Sequence, residues 1–301
     1  MVKAGECLLY AFKSKVLKDI KIESPSMEIS CGDGATMFIH QGGEFPVDFD
    51  YFIETKSSEF KHSSFVDIYD LYSENFTIPT IKRPQFQIDV GTDWKQNFLN
   101  KASKLNFYKE LVLHDNNNTP LPFSDKHFKT IFSNSIYWVD DVEALLKDIR
   151  RMLRDDGTLV LELMTPYHLQ PLKDMKAYLN DEAISILDRK RSVTMPSCRS
   201  YAKWKELMIK NGFPVRSSKV IFPNKLLVQI WNIGLRPISH LLTQMTESLS
   251  AEKRRQLKAE WVNIFHILLK LLLSLEQNYT LDEAPYFCLL IEKDVQDKKY
   301  V

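Results

Sequence analysis

The chain of 301 residues has almost no net charge, with 40 Lys and Arg against 39 Asp and Glu and a formal value of +1. A surface that binds nucleic acid normally shows as a basic excess, so this balance argues against a nucleic-acid partner. Cysteine is also sparse. The four residues Cys7, Cys31, Cys198 and Cys288 form no CxxC pair and have no neighbouring histidines, so no metal site is predicted.

Long apolar runs are lacking as well. The most apolar segment, IFHILLKLLLSL at 264–275, is too short to span a bilayer and is interrupted by Lys270. The N-terminal stretch MVKAGECLLYAFKSK is broken by Lys3, Glu6 and Lys13, so it lacks the continuous apolar core of a secretion signal. We therefore expect no transmembrane segment and a cytoplasmic location.

The middle of the chain alternates between helical and extended patterns. Residues 94–105 predict a helix, 108–115 a buried strand, and 129–135 a second strand. Asp140 or Asp141 then caps a helix with an apolar stripe from Val142 to Leu153, which RDDGT at 154–158 is expected to end at Gly157. The apolar strand TLVLELM follows at 158–164, and this alternation predicts a parallel sheet with helices on both faces.

The pattern changes after Pro166. Residues 200–212 predict a helix with a glycine stop, 214–222 a strand and 286–294 the last strand, with a helical cap at about 224–280 inserted between the two strands. Residues 1–223 and 281–301 would then form the core. Within the cap, residues 257–275 are apolar on most sides of a helix, which favours burial in the cap itself; a homodimer contact and a lipid-like substrate are the alternatives.

The segment EISCGDG at 28–34 ends a short apolar-leaning run with two glycines. Glycines after a strand let a backbone approach a ligand closely, and the next helix offers free N–H groups. A GxG pair alone is a weak signal, because many ordinary turns contain one. The segments that follow it decide its interpretation.

LPFSDKHFKTIFSNS at 121–135 and LLKDIRRMLRDDGTLVLEL at 145–163 follow the glycine turn in order. Together the three segments resemble the class I S-adenosylmethionine-dependent methyltransferases, in particular the small-molecule, type-11-like group, over about residues 20–165. The resemblance implies an α/β, Rossmann-like doubly wound and mostly parallel seven-stranded sheet. In this chain it would carry an aromatic-rich insertion after strand 1, at about 35–84, and the helical cap before the last strand.

The resemblance also implies S-adenosyl-L-methionine as cofactor and assigns residues to it. Glu28 corresponds to the acidic residue of the first motif, and Ser30 stands where the family usually has a glycine. Gly32, Asp33 and Gly34 complete the turn. Asp93 is assigned to the ribose hydroxyls, since a carboxylate accepts two hydrogen bonds from a vicinal diol; Asp89 is its runner-up, and Asp48 and Asp50 are further alternatives. Asp115 and Asn116 are assigned to the adenine edge.

The segment SNSIYWVDD, after the fourth strand, faces the methyl group in the family. We expect Asn134 at the cofactor, Tyr137 as a catalytic candidate and Trp138 at the substrate. His168 in TPYHLQ is the candidate base beside Tyr167 at the substrate, with His40 and His114 as alternatives.

The function implied is methyl transfer to a small-molecule, saccharide or lipid-linked acceptor by in-line displacement, for which a base is optional. Two other functions remain open at this stage. A nicotinamide-dependent oxidoreductase would also use a glycine turn, but GDGATM lacks the third glycine of GxGxxG. A catalytically inactive, methyltransferase-like binding protein is the second alternative.

Overall fold

A computed structural model describes residues 4–53, 72–188, 191–195, 197–276 and 279–293. Seven strands form one sheet in the order β3-β2-β1-β4-β5-β7-β6. The strands are β1 (Ser26–Ile29), β2 (Ile88–Asp93), β3 (Tyr108–Leu113), β4 (Phe128–Ser133), β5 (Leu153–Met164), β6 (Val215–Val220) and β7 (Tyr286–Glu292).

The central strands are parallel. β1 pairs with β2 and β4, β2 with β3, and β4 with β5, whereas β7 lies antiparallel between β5 and β6. The carboxyl ends of β1, β2, β3 and β4 therefore meet at one edge of the sheet. This arrangement is that of the class I methyltransferases, and it confirms the predicted mixed, mostly parallel seven-stranded sheet.

Helices cover the sheet and form the cap. Their bounds are α1 (Ala4–Leu17), α2 (Ala35–His40), α3 (Gln96–Lys104), α4 (Val142–Met152), α5 (Gln170–Met175), α6 (Asp181–Asp188), α7 (Arg191–Thr194), α8 (Tyr201–Lys210), α9 (Lys225–Gln229), α10 (Arg236–Thr246) and α11 (Ala251–Leu272). Short 3-10 turns lie at Ile136–Trp138 and Pro166–Leu169, and a π-helical segment at Ile230–Leu235. The N-terminal helix α1 contacts both α2 and the cap helix α10.

Two local predictions were wrong in detail. Helix α4 ends at Met152 rather than at Gly157, because Leu153 is fully buried and pairs with Phe128 in the sheet, so RDDGT lies within β5. Strand β3 was predicted to be buried, but only Tyr108 is, since β3 forms the edge of the sheet.

The predicted insertion begins later than expected. Residues 35–40 form helix α2, so the insertion starts after His40; its residues 54–71 lie outside the described part of the chain. The described part builds an aromatic cluster. Phe45 stacks on Phe38 of α2 with ring centroids 5.0 Å apart, and Phe49, Tyr51 and Phe76 continue the contact chain. The aromatic residues of the insertion are partly buried and pack against the core.

The predicted cap is helical, and the apolar residues of its helix α11 are only partly buried. Ile264, Ile267, Leu268 and Leu271 of α11 are between 36% and 65% exposed, whereas Leu272 is buried. Phe265 and Leu275 pack against the core together with Leu272, so only part of the apolar surface of this segment faces outward. Among the described residues, no helix combines the length and the apolar character needed to cross a membrane.

Candidate active site

The glycine turn follows β1 directly and bends through three residues of positive φ: Ser30 (57°), Gly32 (58°) and Gly34 (75°). A Cβ atom at Gly34 would lie 2.8 Å from Cε2 of Tyr108 and 2.9 Å from Cδ1 of Leu105. A Cβ at Gly32 would meet nothing within 4 Å. Gly34 therefore fits close packing under the turn, and Gly32 presents open backbone.

Asp93 ties the end of β2 to this turn. Its Oδ2 accepts a hydrogen bond from the Gly32 amide at 3.0 Å, and its Oδ1 accepts one from the Lys95 amide at 2.9 Å. The side chain is only 3% exposed, and burial raises its pKa although these two amides act in the opposite direction. A carboxylate offers about four acceptor positions, so Asp93 can still accept a bond from a ligand hydroxyl.

The alternatives to Asp93 lie elsewhere. Asp89 stands near the start of β2, where its Oδ2 accepts from the Ser26 amide at 2.7 Å and its Oδ1 lies 2.6 Å from Nζ of Lys109. Burial would raise the pKa of Asp89, but hydrogen bonds from Lys109, Ser24 and Ser26 lower it to about 2. Asp48 and Asp50 belong to the insertion. Burial lowers the pKa of Lys258 in α11, and the negative charges of these two aspartates oppose that effect.

The loop after β3 meets the turn through Asn116. Its Nδ2 donates to Oγ of Ser30 at 2.5 Å, and the side chain is 5% exposed. Its Oδ1 is buried and accepts no hydrogen bond from the residues that the structure describes. One N–H of the Asn116 side-chain amide is thus used by Ser30, and the buried oxygen is available to a ligand. Oδ1 of Asp115 accepts from the Asn117 amide at 2.9 Å.

Glu28 lies in β1, 1% exposed. The Tyr108 hydroxyl donates to its Oε2 at 2.6 Å. Burial raises the pKa of Glu28 to about 8, and the nearby carboxylates of Glu162, Asp33 and Asp93 add to the rise. Glu28 is therefore mostly a neutral acid at pH 7.

The segment after β4 brings two tyrosine hydroxyls together. The hydroxyl oxygens of Tyr137 and Tyr286 are 3.3 Å apart, and Tyr286 donates to the Asn134 carbonyl at 3.4 Å. Burial raises the pKa of Tyr137 well above its ordinary value, so Tyr137 is a hydrogen-bond donor at neutral pH rather than a base. Trp138 is 42% exposed beside it.

A buried ion pair next to these tyrosines was not predicted. Nζ of Lys13 in α1 lies 2.7 Å from Oε2 of Glu162 in β5 and 4.7 Å from the ring centroid of Tyr286. Burial opposes charge on Lys13, but Glu162 more than offsets it, so the pKa of Lys13 is raised and the ammonium persists. The sequence signal was available: Glu162 interrupts the apolar strand TLVLELM, and a charge in a buried strand needs a partner.

The histidine candidates are held by local hydrogen bonds. Nδ1 of His168 lies 2.5 Å from the Thr165 carbonyl oxygen, and the ring is 1% exposed, whereas neighbouring Tyr167 is 45% exposed. Nδ1 of His40 lies 2.7 Å from Oγ of Ser14, and burial lowers the pKa of His40 to about 3. Nε2 of His114 lies 2.8 Å from the Asn118 carbonyl. None of these bonds joins a histidine to the glycine turn.

The described residues include no group of three or more His, Cys, Asp or Glu side chains arranged to hold a metal ion. They do fit an adenosyl cofactor. The open backbone at Gly32, the spare lone pairs of Asp93 and the buried Oδ1 of Asn116 belong to three strand ends that hydrogen bonds join around one turn.

Comparison with known proteins bears on this fit. Residues 81–161 match the family model described as a methyltransferase domain. Among curated proteins, no match is found. Many solved structures match, including the [4+2]-cyclase SpnF at 11% identity and a TM-score of 0.50, covering 95% of this chain and 81% of that one.

Two further structures show the range of these likenesses. One, from Thermotoga maritima, is described as a SAM-dependent methyltransferase, possible histamine N-methyltransferase; it is 15% identical, with 96% and 91% of the two chains covered and a TM-score of 0.47. The other is the geranyl diphosphate C-methyltransferase of Streptomyces coelicolor A3(2), solved with Mg²⁺, geranyl diphosphate and S-adenosyl-L-homocysteine. It is 11% identical, with 94% and 77% covered and a TM-score of 0.45.

The fold and the matched domain are typical of the class I S-adenosylmethionine-dependent methyltransferases. Over residues 81–161 the chain matches a methyltransferase domain, and its sheet has the strand order typical of that class.

Proposed function

We propose that the chain transfers a methyl group from S-adenosylmethionine to a small-molecule, saccharide or lipid-linked acceptor. The observation that carries the proposal is the Gly32 amide donating to Asp93, which joins the end of β2 to open backbone after β1. In this proposal Asp93 holds the ribose hydroxyls, Gly32 approaches the cofactor, and Asp115 and Asn116 meet the adenine edge.

The cofactor supplies an activated methyl group on a sulfonium. The residues of the chain bind and orient it and exclude water from the acceptor, and in-line alignment supplies the catalysis. Tyr137, which donates to Tyr286 while Tyr286 donates to the Asn134 carbonyl, is proposed to position the segment after β4 at the acceptor. The exposed rings of Trp138 and Tyr167 are proposed as its walls.

We propose that His168 positions the loop after β5. Its ring is 1% exposed, and its Nδ1 faces a carbonyl oxygen, which only accepts, so the proton sits on Nδ1. The Asn232 side chain donates to the backbone carbonyl oxygen of His168. Such a role predicts that substitution of His168 changes stability before it changes the pH profile of turnover.

The experiment is transfer of isotopically labelled methyl from S-adenosylmethionine into fractionated cell extract, with the product identified by mass. Labelling by the wild type that is absent with Gly32→Ala supports the proposal. Binding of NADH in calorimetry, with no binding of S-adenosylmethionine, would overturn it in favour of an oxidoreductase. Binding of S-adenosylmethionine without any labelled product would favour an inactive binding protein.

A further inference from the structure

Helix α11 carries an apolar stripe on its outward side. Its members lie three and four positions apart, so they share one face of the helix. In the part of the chain that the structure describes, they are between 36% and 65% exposed. A contiguous group of exposed apolar side chains indicates a contact surface, whereas single exposed ones are normal. We call this group the α11 stripe; it consists of Ile264, Ile267, Leu268 and Leu271.

The opposite side of α11 packs against the rest of the protein. Leu272 belongs to the hydrophobic core, and Phe265 and Leu269 pack on that core. Because these three residues hold one side of the helix on the protein, the α11 stripe faces solvent over about two turns.

The charges beside the α11 stripe have one sign. Between residues 264 and 275 the sequence contains no Asp or Glu, and its one Lys or Arg is Lys270. Lys15 of α1 reaches the end of this helix, where its Nζ donates to the Leu273 carbonyl oxygen at 3.0 Å. Lys18 lines the same cleft as Lys15 and Leu273. We call these three exposed lysines the basic rim, which lies at the C-terminal end of the stripe.

The size of the α11 stripe helps to identify its partner. A stable interface with a second copy of the chain needs about 20–30 residues on each side, whereas the stripe has four. A helix that lies on a lipid surface needs only a narrow apolar face with cations beside it. Lysines beside such a face are attracted to the negative charge of anionic lipids.

We propose that the α11 stripe and the basic rim form a docking surface for a bilayer that contains anionic lipid. The four aliphatic side chains enter the boundary between headgroups and acyl chains, and the lysines stay at the level of the headgroup phosphates. Helix α11 then lies in the plane of the bilayer and does not cross it. The inference is independent of methyl transfer, because it uses no residue of the cofactor site.

Flotation with lipid vesicles tests this inference. The full chain is mixed with vesicles of phosphatidylcholine alone, or of phosphatidylcholine and phosphatidylglycerol in equal amounts, at low and at high salt. The stripe variant combines Ile267→Ser with Leu271→Ser. Its matched control combines Ile81→Ser with Ile209→Ser, since these residues are 66% and 58% exposed and lie outside α11.

The basic rim has its own pair of variants. Lys270→Gln removes one charge of the rim, and Lys147→Gln removes an exposed lysine of α4 as the control. All the variants change exposed side chains, so urea unfolding should show that each is folded.

The wild type should float with the anionic vesicles and bind phosphatidylcholine vesicles at least about tenfold more weakly, because each lysine near an anionic surface adds about fivefold. High salt should weaken the binding. The stripe variant should lose at least about tenfold in affinity for the anionic vesicles, and Lys270→Gln about fivefold. Both controls should bind as the wild type does.

Equal vesicle binding by the wild type and the stripe variant would overturn the inference, as would a folded wild type that floats with neither kind of vesicle. Self-association of the wild type in sedimentation velocity that is lost in the stripe variant, without binding to vesicles, would assign the surface to a second copy of the chain and overturn it as well.

Discussion

At the scale of single residues, the two glycines of the turn have different reasons to be glycine. Both have positive φ, which costs an L-residue about 1–2 kcal/mol. At Gly34 an added Cβ would also collide with the Tyr108 ring, whereas at Gly32 it would enter open space. Packing excludes a side chain at Gly34, whereas at Gly32 a side chain would block a ligand that approaches the backbone.

This difference predicts that Gly34→Ala mainly loses stability and that Gly32→Ala mainly loses cofactor binding. Gly34→Ala should lower the free energy of unfolding by about 2–5 kcal/mol, because strain at φ and overpacking add. Gly32→Ala should cost only about 1–2 kcal/mol but should weaken S-adenosylmethionine binding strongly. Chemical denaturation and calorimetry on the same samples measure both. A Gly32→Ala protein that binds the cofactor normally would contradict a close approach at this position.

Glu28 predicts a dependence of stability on pH. Its pKa is about 8 in the folded protein and 4.5 in a model compound, so between those values the folded state keeps a proton that the unfolded state has lost. This contribution to stability is therefore present below about pH 4.5 and is lost as the pH rises towards 8.

Glu28→Gln removes that loss. Relative to the wild type, we expect the variant to gain about 2–5 kcal/mol in the free energy of unfolding between pH 5 and pH 9. Urea unfolding at both pH values measures the change, with Glu44→Gln, which alters an exposed carboxylate of the insertion, as the control. A difference from the wild type that stays constant with pH would show that Glu28 ionises normally.

At the scale of elements, the ion pair between Lys13 and Glu162 holds α1 against β5. Both side chains are at most 4% exposed, so removing one partner leaves an uncompensated buried charge. Lys13→Met and Glu162→Gln should each cost about 3–5 kcal/mol. The double variant should lose less than the sum, with a coupling of at least about 1 kcal/mol in a double-mutant cycle.

The exposed pair of Lys21 and Glu23 gives the matched cycle. Its atoms are also 2.7 Å apart, but the side chains are 81% and 41% exposed, so solvent screens the interaction and no coupling should be measurable. Equal coupling in the two cycles would mean that the pair at Lys13 is not buried in solution.

Helix α11 makes a prediction about its outward face. Ile267 is 65% exposed, so Ile267→Ser should change the free energy of unfolding by less than about 0.5 kcal/mol. Leu272 is 8% exposed on the opposite side of the helix, and Leu272→Ala should cost about 2–5 kcal/mol. Similar losses for the two variants, measured by urea unfolding, would show that the outward face is covered.

At the scale of the whole molecule, the sheet could be predicted because its signals are local. Each element has a pattern of its own in the sequence, as in the apolar strand TLVLELM, the apolar stripe of α4 and the glycine turn. The order of these patterns along the chain indicates the topology. Asp93, which the family resemblance assigned to the ribose, lies at the carboxyl end of β2.

The features that sequence did not reveal depend on long-range contacts. Tyr108 opens an edge strand, and nothing local joins it to Glu28, 80 positions earlier in the chain. The outward face of α11 is apolar in pattern, yet pattern alone does not state which side meets the core. The pairing of Asn116 with Ser30 likewise depends on how two loops meet after folding.

The central claim is that Asp93 and the glycine turn hold the adenosyl cofactor, and calorimetric binding of S-adenosylmethionine to Asp93→Ala and Asp89→Ala tests it most directly. The two aspartates belong to one strand, with Asp93 at the turn and Asp89 bound to Ser26 and Lys109. Asp93→Ala should weaken binding by about 1–3 kcal/mol, or roughly 5- to 150-fold, while Asp89→Ala leaves it unchanged. Unchanged affinity in folded Asp93→Ala, or an equal loss in both variants, would contradict the claim.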